Sequence, residues 1–391
     1  MQKPGVVLVH NRYRHAGGED EVFEAEAALL ESRGHLVERF TLDNRDLREH
    51  NPIAMAAATV WNGRTYRALR QICRRTQADV VHFHNTFPMV SPAAYYAARA
   101  EGAAVVQTLH NFRLICLNAL CYREGHPCEQ CVTKTVRWPG VVHGCYRNSR
   151  SASGVTAVML SLHAAARTWT EHVDTYVALS EFARSRFISG GLPSARIVVK
   201  PNFLVDDPGA GGHDEGYVVY VGRLSAEKGI DLLMRAWSVL GERIPLKVIG
   251  SGPMEHVVDG VPGVEWLGPL PRPRLLALMQ RASVLVFPSE VYENCPMTLI
   301  QAFATALPVV ASGHGSIGEM VCDGVAGWHF APGDVNDLIR AVTEAMQNVE
   351  QRRSRGCNAR RLFEARYTKD ENYRQLSAVY ASALQRPGAV A

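Results

Sequence analysis

Val219-Tyr-Val-Gly-Arg-Leu-Ser-Ala-Glu-Lys-Gly-Ile-Asp231 is the stretch that decides the fold. A short apolar strand ends at Gly222, where the chain can turn sharply, and a helix starts a few residues on. A strand running through a glycine turn into a helix is half of a βαβ unit. Two cations, Arg223 and Lys228, project from that strand-end loop and helix start. Cations beside a helix N-terminus form a receptor for a diphosphate. Taken alone, the pair reads equally well as exposed surface charge.

The same alternation extends outward on both sides. Upstream, strands are expected at Val6–His10, Leu36–Thr41, Val80–His84, Ala104–Leu109, Thr175–Ala178 and Ile197–Val199, with a helix over Glu19–Arg33 ended by Gly34. Downstream, strands are expected at Tyr217–Val221, Leu246–Ile249, Val264–Trp266, Val284–Phe287 and Pro308–Ala311. Between the two series, residues 203–216 are rich in Gly, Pro and Asp and read as a linker or a long surface loop. The fold class is therefore α/β, with two Rossmann-like, doubly wound domains built on parallel sheets. The expected division is 1–203, 204–366 and a closing helix within 367–391. A chain of 391 residues is long enough for two separate cores.

Charge narrows the partners. A net charge of +4 does not suggest nucleic acid, but its distribution is uneven. Residues 1–205 carry an excess of seven positive charges and the rest an excess of three negative, so the first half is expected to meet an anionic partner. No run approaches the ~18 apolar residues of a spanning helix. The Val6–Val9 run is too short for a signal-peptide core, so a cytoplasmic protein is expected.

A second segment, Phe287-Pro-Ser-Glu-Val-Tyr-Glu-Asn-Cys-Pro-Met-Thr-Leu-Ile-Gln-Ala-Phe-Ala304, takes a buried strand through a polar loop into a helix with Pro296 at or near its first position. Glu293 lies in that loop, where a carboxylate can accept hydrogen bonds from sugar hydroxyls. The amides near Met297, Thr298 and Leu299 can hold phosphate. In isolation Glu293 reads as a capping or solvated residue.

Together these segments resemble family 4 glycosyltransferases, retaining enzymes of the GT-B fold. The resemblance extends through Gly222-Arg-Leu-Ser-Ala-Glu-Lys-Gly229, Ile249-Gly-Ser-Gly-Pro253, Phe287-Pro-Ser289 and Leu307-Pro-Val-Val-Ala-Ser312. It continues in Gly315-Ser-Ile-Gly-Glu319, Gly324–Gly327, Pro332-Gly-Asp334 and, near the start, Gly17-Gly-Glu-Asp-Glu21 and Gly34-His35. It implies two domains facing across a cleft, donor on the second and acceptor on the first. The closing helix would return to the first domain. Arg223 and Lys228 would neutralise the leaving diphosphate of a nucleotide-sugar donor, and Glu293 would contact the donor sugar. Gly17 and Gly18 would let the backbone approach donor and acceptor, and Gly222 would shape the donor loop. His110 would sit beside the donor sugar and Glu319 in a loop near it. The acceptor would be a glycan or a lipid-linked sugar. No divalent cation is implied as a cofactor for transfer. One departure stands out: the second acid of the family's E-x7-E motif is Gln301 here. Gln keeps an acceptor oxygen but loses the charge, so weaker donor binding is expected. It is also the argument for a non-catalytic sugar-nucleotide-binding homologue; a GT-B epimerase or phosphorylase is a further alternative.

Asn111–Ser153 fits neither series. It holds Cys116, Cys121, Cys128, Cys131 and Cys145, with Cys128-Glu-Gln-Cys131 at zinc-knuckle spacing. A branch of the family is similar here, which implies a structural zinc on Cys116, Cys128, Cys131 and Cys145, with Cys121 to spare. Reduced thiols packing a loop remain the alternative. Finally, Arg64, Arg67, Arg70, Arg74 and Arg75 recur at near-helical spacing after Trp61. Such a face suits an anionic membrane surface or a lipid-pyrophosphate acceptor, or it is a solvated arginine face.

Overall fold

A computed structural model describes residues 3–13, 17–45 and 51–385. The chain divides into two compact units. The first comprises Met1–Cys121, Cys128–Pro201 and Asn372–Ala391, and the second Tyr122–Pro127 and Asn202–Glu371.

In chain order the strands are β1 (Val6–Arg12), β2 (Val37–Asp43), β3 (Val80–Phe83) and β4 (Ala104–Thr108), then a short hairpin of β5 (Tyr122–Arg123) and β6 (His126–Pro127), then β7 (Thr175–Ala178) and β8 (Ile197–Val199). The second series is β9 (Val218–Val221), β10 (Leu246–Ile249), β11 (Val264–Gly268), β12 (Val284–Phe287), β13 (Val309–Ser312) and β14 (Gly327–Phe330). The first sheet has the order β2-β1-β3-β4-β7-β8 and the second β11-β10-β9-β12-β13-β14. Every pairing in both sheets is parallel.

Parallel strands covered on both faces must be apolar along their length. Val80, Val81 and Phe83 are fully buried, as are Val284, Leu285 and Val286. The strand order matters for function. In a doubly wound sheet, ligands bind beyond the carboxyl ends of strands where the order reverses. In the second unit that point lies between β9 and β12, the strands that feed the Arg223 loop and the Glu293 loop.

The helix Gly18–Ser32 shows how local sequence sets boundaries. Asp20 reaches back to accept from the Gly17 amide at 2.8 Å, and Glu19, Asp20 and Glu21 place negative charge in the first turn. At the other end Gly34 takes φ 78°, and the His35 amide returns to the Leu30 carbonyl at 3.0 Å. The helix Lys369–Gln385 buries Leu376, Val379, Tyr380 and Ala383 in the core of the first unit, beside Leu8, Phe23 and Val106. Residues 386–391, the end of the expected closing segment, lie outside the described residues.

Among the strands, three were not legible in the sequence: β14 is four residues with no clear apolar alternation, and β5 and β6 are two residues each, paired as a hairpin. Among the described residues, no helix is long and apolar enough to cross a membrane.

Candidate active site

The second unit gathers Lys228, Ser289 and Glu293 at the reversal point. The Lys228 ammonium pairs with Glu293 Oε1, and Ser289 Oγ donates to the same oxygen at 2.9 Å. Glu293 is thus held on one oxygen by two donors. Ser289 was missed in the sequence, although it stands in the quoted Phe287-Pro-Ser run. Its carbonyl accepts from Ser312 Oγ at 2.5 Å and bonds His314 Nε2 at 3.0 Å, so the loop is tied to the end of β13.

The glycines explain why these loops can meet. Gly250 has φ 134°, and a Cβ there would lie 1.9 Å from the Gly222 carbonyl oxygen. A Cβ on Gly252 would lie 2.3 Å from that of Leu224. The Leu224 amide donates to Ser251 and the Met254 amide to Leu224, both at 3.0 Å. The Ile249-Gly-Ser-Gly-Pro253 segment is therefore a backbone cradle for the loop that carries Arg223. Gly229, at φ 70°, brings the Pro288 carbonyl to within 2.1 Å of where its Cβ would be, and the Glu290 amide donates to the Glu227 carbonyl at 3.0 Å. Those contacts set Lys228 beside Glu293. Arg223 itself is exposed, and Tyr220 Oη donates to its carbonyl at 2.8 Å.

Past Glu293, the helix Met297–Ala304 begins after Pro296, which takes the N-cap position just outside the first turn. The Leu299 amide is used by the Pro296 carbonyl at 3.1 Å, which leaves Met297 and Thr298 as the amides for a phosphate. Gln301 is buried in this helix. A neutral amide is easier to bury than a carboxylate, which gives a physical context for the lost acid. Glu319 is exposed on the helix Gly315–Val321, not in a loop as the resemblance suggested. Gly315 starts that turn at φ 55° and the Gly318 amide closes onto the His314 carbonyl at 3.0 Å.

In the first unit, Gly17 is exposed at the N-cap of its helix, with Gly18 as the first helical residue. Asp20 holds the Gly17 amide with one oxygen and bonds His10 Nε2 with the other at 2.9 Å. Glu19 bonds Asn85 and Asn111 at 3.5 and 3.4 Å. Burial, with Asp20 next to it, pushes the Glu19 carboxyl up to about 8, although part of the residue still meets solvent. His110 follows β4, partly exposed, with its Nε2 3.0 Å from His84 Nδ1. Burial and the rings of His84 and His10 hold His110 well below the usual imidazole range.

The missed residues here are Glu19, Glu26 and His84. Two had a signal. His82-Phe-His84 alternates along a strand, which puts both rings on one face, and their centroids are 4.5 Å apart. Glu26 occupies a core position among Val22, Phe23, Ala27 and Leu30.

The cysteines share one neighbourhood without closing on a point. Cys116 Sγ donates to Asn118 at 3.0 Å and also pairs with Cys121, the residue left spare in the sequence reading. Burial and then the thiols of Cys116, Cys145 and Cys128 push Cys131 up to about 11. Among the described residues, the group of three or more ligand atoms lying within 4.8 Å of one another is Glu26, His82 and His84, not the thiols. The arginine row on the helix Gly63–Thr76 is largely engaged. Arg70 and Arg74 pair with Glu101 at 2.5 and 2.7 Å, and Arg75 pairs with Glu38 at 2.8 Å. Trp61 packs against Tyr66, Tyr96 and His163.

Comparison with known proteins agrees with this architecture. The chain is 30% identical over 182 residues to the sulfoquinovosyl transferase SQD2 of Arabidopsis thaliana, a match covering 44% of the chain and 35% of that protein. It is 33% identical over 155 residues to a glycogen synthase of Mycobacterium tuberculosis, 37% of each. The matched stretch thus spans little more than a third of these relatives' length. Among solved structures, Anabaena HepE in complex with UDP superposes with a TM-score of 0.69 at 15% identity, over 97% of this chain and all of that one. Sucrose-phosphate synthase of Thermosynechococcus elongatus gives 0.71 at 17%, over 97% and 98%. At such identities the likeness shows the fold, GT-B. The family model for glycosyl transferases group 1 matches residues 208–362 and that for glycosyltransferase family 4 matches residues 16–207. The two models adjoin in order along the chain, which belongs to the family 4 glycosyltransferases with a group 1 second domain.

Proposed function

We propose that the chain transfers a sugar from a nucleotide-diphosphate donor, of UDP or GDP type, to a glycan or lipid-linked acceptor, with retention at the anomeric carbon. The observation that carries this reading is the Lys228–Glu293 pair, steadied by Ser289, at the strand-order reversal of the second unit. The bond between the anomeric carbon and the phosphate oxygen breaks, and negative charge grows on the diphosphate. Arg223 and Lys228 offset that charge, with the Met297 and Thr298 amides, and such electrostatic stabilisation is usually the largest catalytic contribution. Glu293 accepts hydrogen bonds from the sugar hydroxyls. The acceptor oxygen attacks the same face and passes its proton to the leaving phosphate. For His110, Gly17 and Gly18 we keep the donor-side roles that the family resemblance implies. UDP in the HepE structure is consistent with the donor class.

A panel of UDP-, GDP-, ADP- and TDP-sugars read by thermal shift tests the donor. A donor at 100 times its Kd should stabilise the fold by about 2.7 kcal/mol. A rise selective for one base, and lost in Arg223→Ala, is the expected result. No rise with any donor would overturn the proposal, and binding without transfer to any acceptor would make this a non-catalytic homologue.

We also propose a structural zinc on Cys116, Cys128, Cys131 and Cys145, because Cys131 lies near enough to feel the thiols of the other three. Four thiolates leave no open position for catalysis. Elemental analysis of protein purified without chelator should find one zinc per chain, lost in Cys128→Ser. Folded protein purified without chelator that contains no zinc would refute it.

A further inference from the structure

A line of buried side chains runs behind His110. The Lys200 ammonium donates to Glu26 Oε1 and to Asn372 Oδ1, both at 2.6 Å, and Lys200 and Glu26 are each about 1% exposed. Glu26 Oε2 faces His84 Nε2 at 3.3 Å. His84 Nδ1 in turn meets His110 Nε2 at 3.0 Å, with the two rings stacked at 5.1 Å. His82 stands beside this line, its two nitrogens taken by Tyr380 Oη at 2.9 Å and Thr108 Oγ1 at 2.8 Å.

Each link fixes the next proton. Burial works to raise the Glu26 carboxyl, but the Lys200 ammonium and the His84 ring facing it outweigh it and hold it well below the ordinary range. An ionised carboxylate only accepts, so His84 must carry its proton on Nε2. Burial keeps the His84 ring neutral, so its Nδ1 has a lone pair and no proton. That lone pair requires a donor, and the group facing it is His110 Nε2. The hydrogen on His110 is therefore set by a charge pair two residues away in contact, and the same logic leaves His110 Nδ1 unprotonated.

We propose that Glu26 and His84 are positioning residues that lock His110 in the Nε2–H tautomer, so that His110 Nδ1 acts as an acceptor. Lys200 anchors the line by keeping Glu26 ionised. This deepens the transferase reading and, for its use in catalysis, rests on it: with His110 beside the donor sugar, the ring would recognise a hydroxyl that donates, not a group that can only accept.

The test reads protons directly, in donor-free protein. Long-range proton–nitrogen correlation spectra of histidine-labelled chain should show His110 and His84 each protonated on Nε2 and bare on Nδ1 at neutral pH, with assignment from His110→Gln and His84→Gln. His84→Gln can donate to Glu26 and accept from His110, so it should keep the His110 signature. His84→Leu cannot, and His110 should redistribute between tautomers. A wild-type His110 protonated on Nδ1, or in the imidazolium form, would overturn the proposal, as would an unchanged single tautomer in folded His84→Leu. If His84→Leu does not fold, the wild-type and His84→Gln spectra still decide. An Nε2–H tautomer in a chain that binds no donor would sink the transferase reading alone and leave this one standing.

Discussion

Replacing Lys200 with methionine is expected to destabilise the first unit by about 3–5 kcal/mol, the range for stranding one partner of a buried ion pair. Glu26 would keep its place in the core with no counter-charge, and burial would then drive its carboxyl upward. The pH dependence follows from that reversal. In the native chain Glu26 is held below its unfolded value, so its contribution is present above ~4.3 and fades only as pH falls through the depressed value. In Lys200→Met the folded value rises above ~4.3, so the folded state takes up a proton first and the deficit shrinks as pH falls. Adding Glu26→Gln should recover most of the loss, because a neutral amide needs no counter-charge. With two units present, a single unfolding midpoint is not the right readout. Hydrogen exchange on the helix Gly18–Ser32 isolates the unit concerned. A loss below about 1 kcal/mol would mean that water reaches Glu26 and that the pair is not a buried one.

Lys228→Ala is expected to lower kcat by about 10²–10³, the scale for losing one preorganised group that meets developing charge. Its effect on stability should be slight. Lys228 and Glu293 keep 29% and 14% of their side-chain surface exposed, and pairs open to solvent contribute at most about 1 kcal/mol. Steady-state kinetics with the donor found by the thermal panel decide the matter. A raised KM with kcat unchanged would show that the ammonium binds ground state and transition state alike, and would remove Lys228 from the chemistry.

The parallel strands and the loops after β9 and β12 were legible because each is a contiguous signal. A buried strand is a short apolar run, and a chain-turning residue follows it, Gly222 after β9 and Pro288 after β12. What stayed hidden was contact between distant positions. Nothing in the run around Ser289 says that its hydroxyl serves Glu293, and nothing in Lys200 says that its partners are Glu26 and Asn372. The arginine row shows the same limit: spacing along a helix displays charge but not the acids, Glu38 and Glu101, that pair with Arg70, Arg74 and Arg75 from other elements. Glu319 was placed in a loop by the resemblance alone, and the seven-residue helix Gly315–Val321 carries it instead.

The helix Lys369–Gln385 has a consequence for how the protein is made. Its residues complete the core of the first unit, yet the ribosome reaches them only after the whole of Asn202–Glu371. At about 5–20 residues per second that segment takes roughly 10–30 s. Through that interval the nascent first unit lacks Asn372 on Lys200 and Tyr380 on His82, and Leu8 and Phe23 lack part of their cover. Vectorial synthesis therefore does not finish the domains in the order in which they are written: the second can close first, and the first is sealed by a segment that arrives after it.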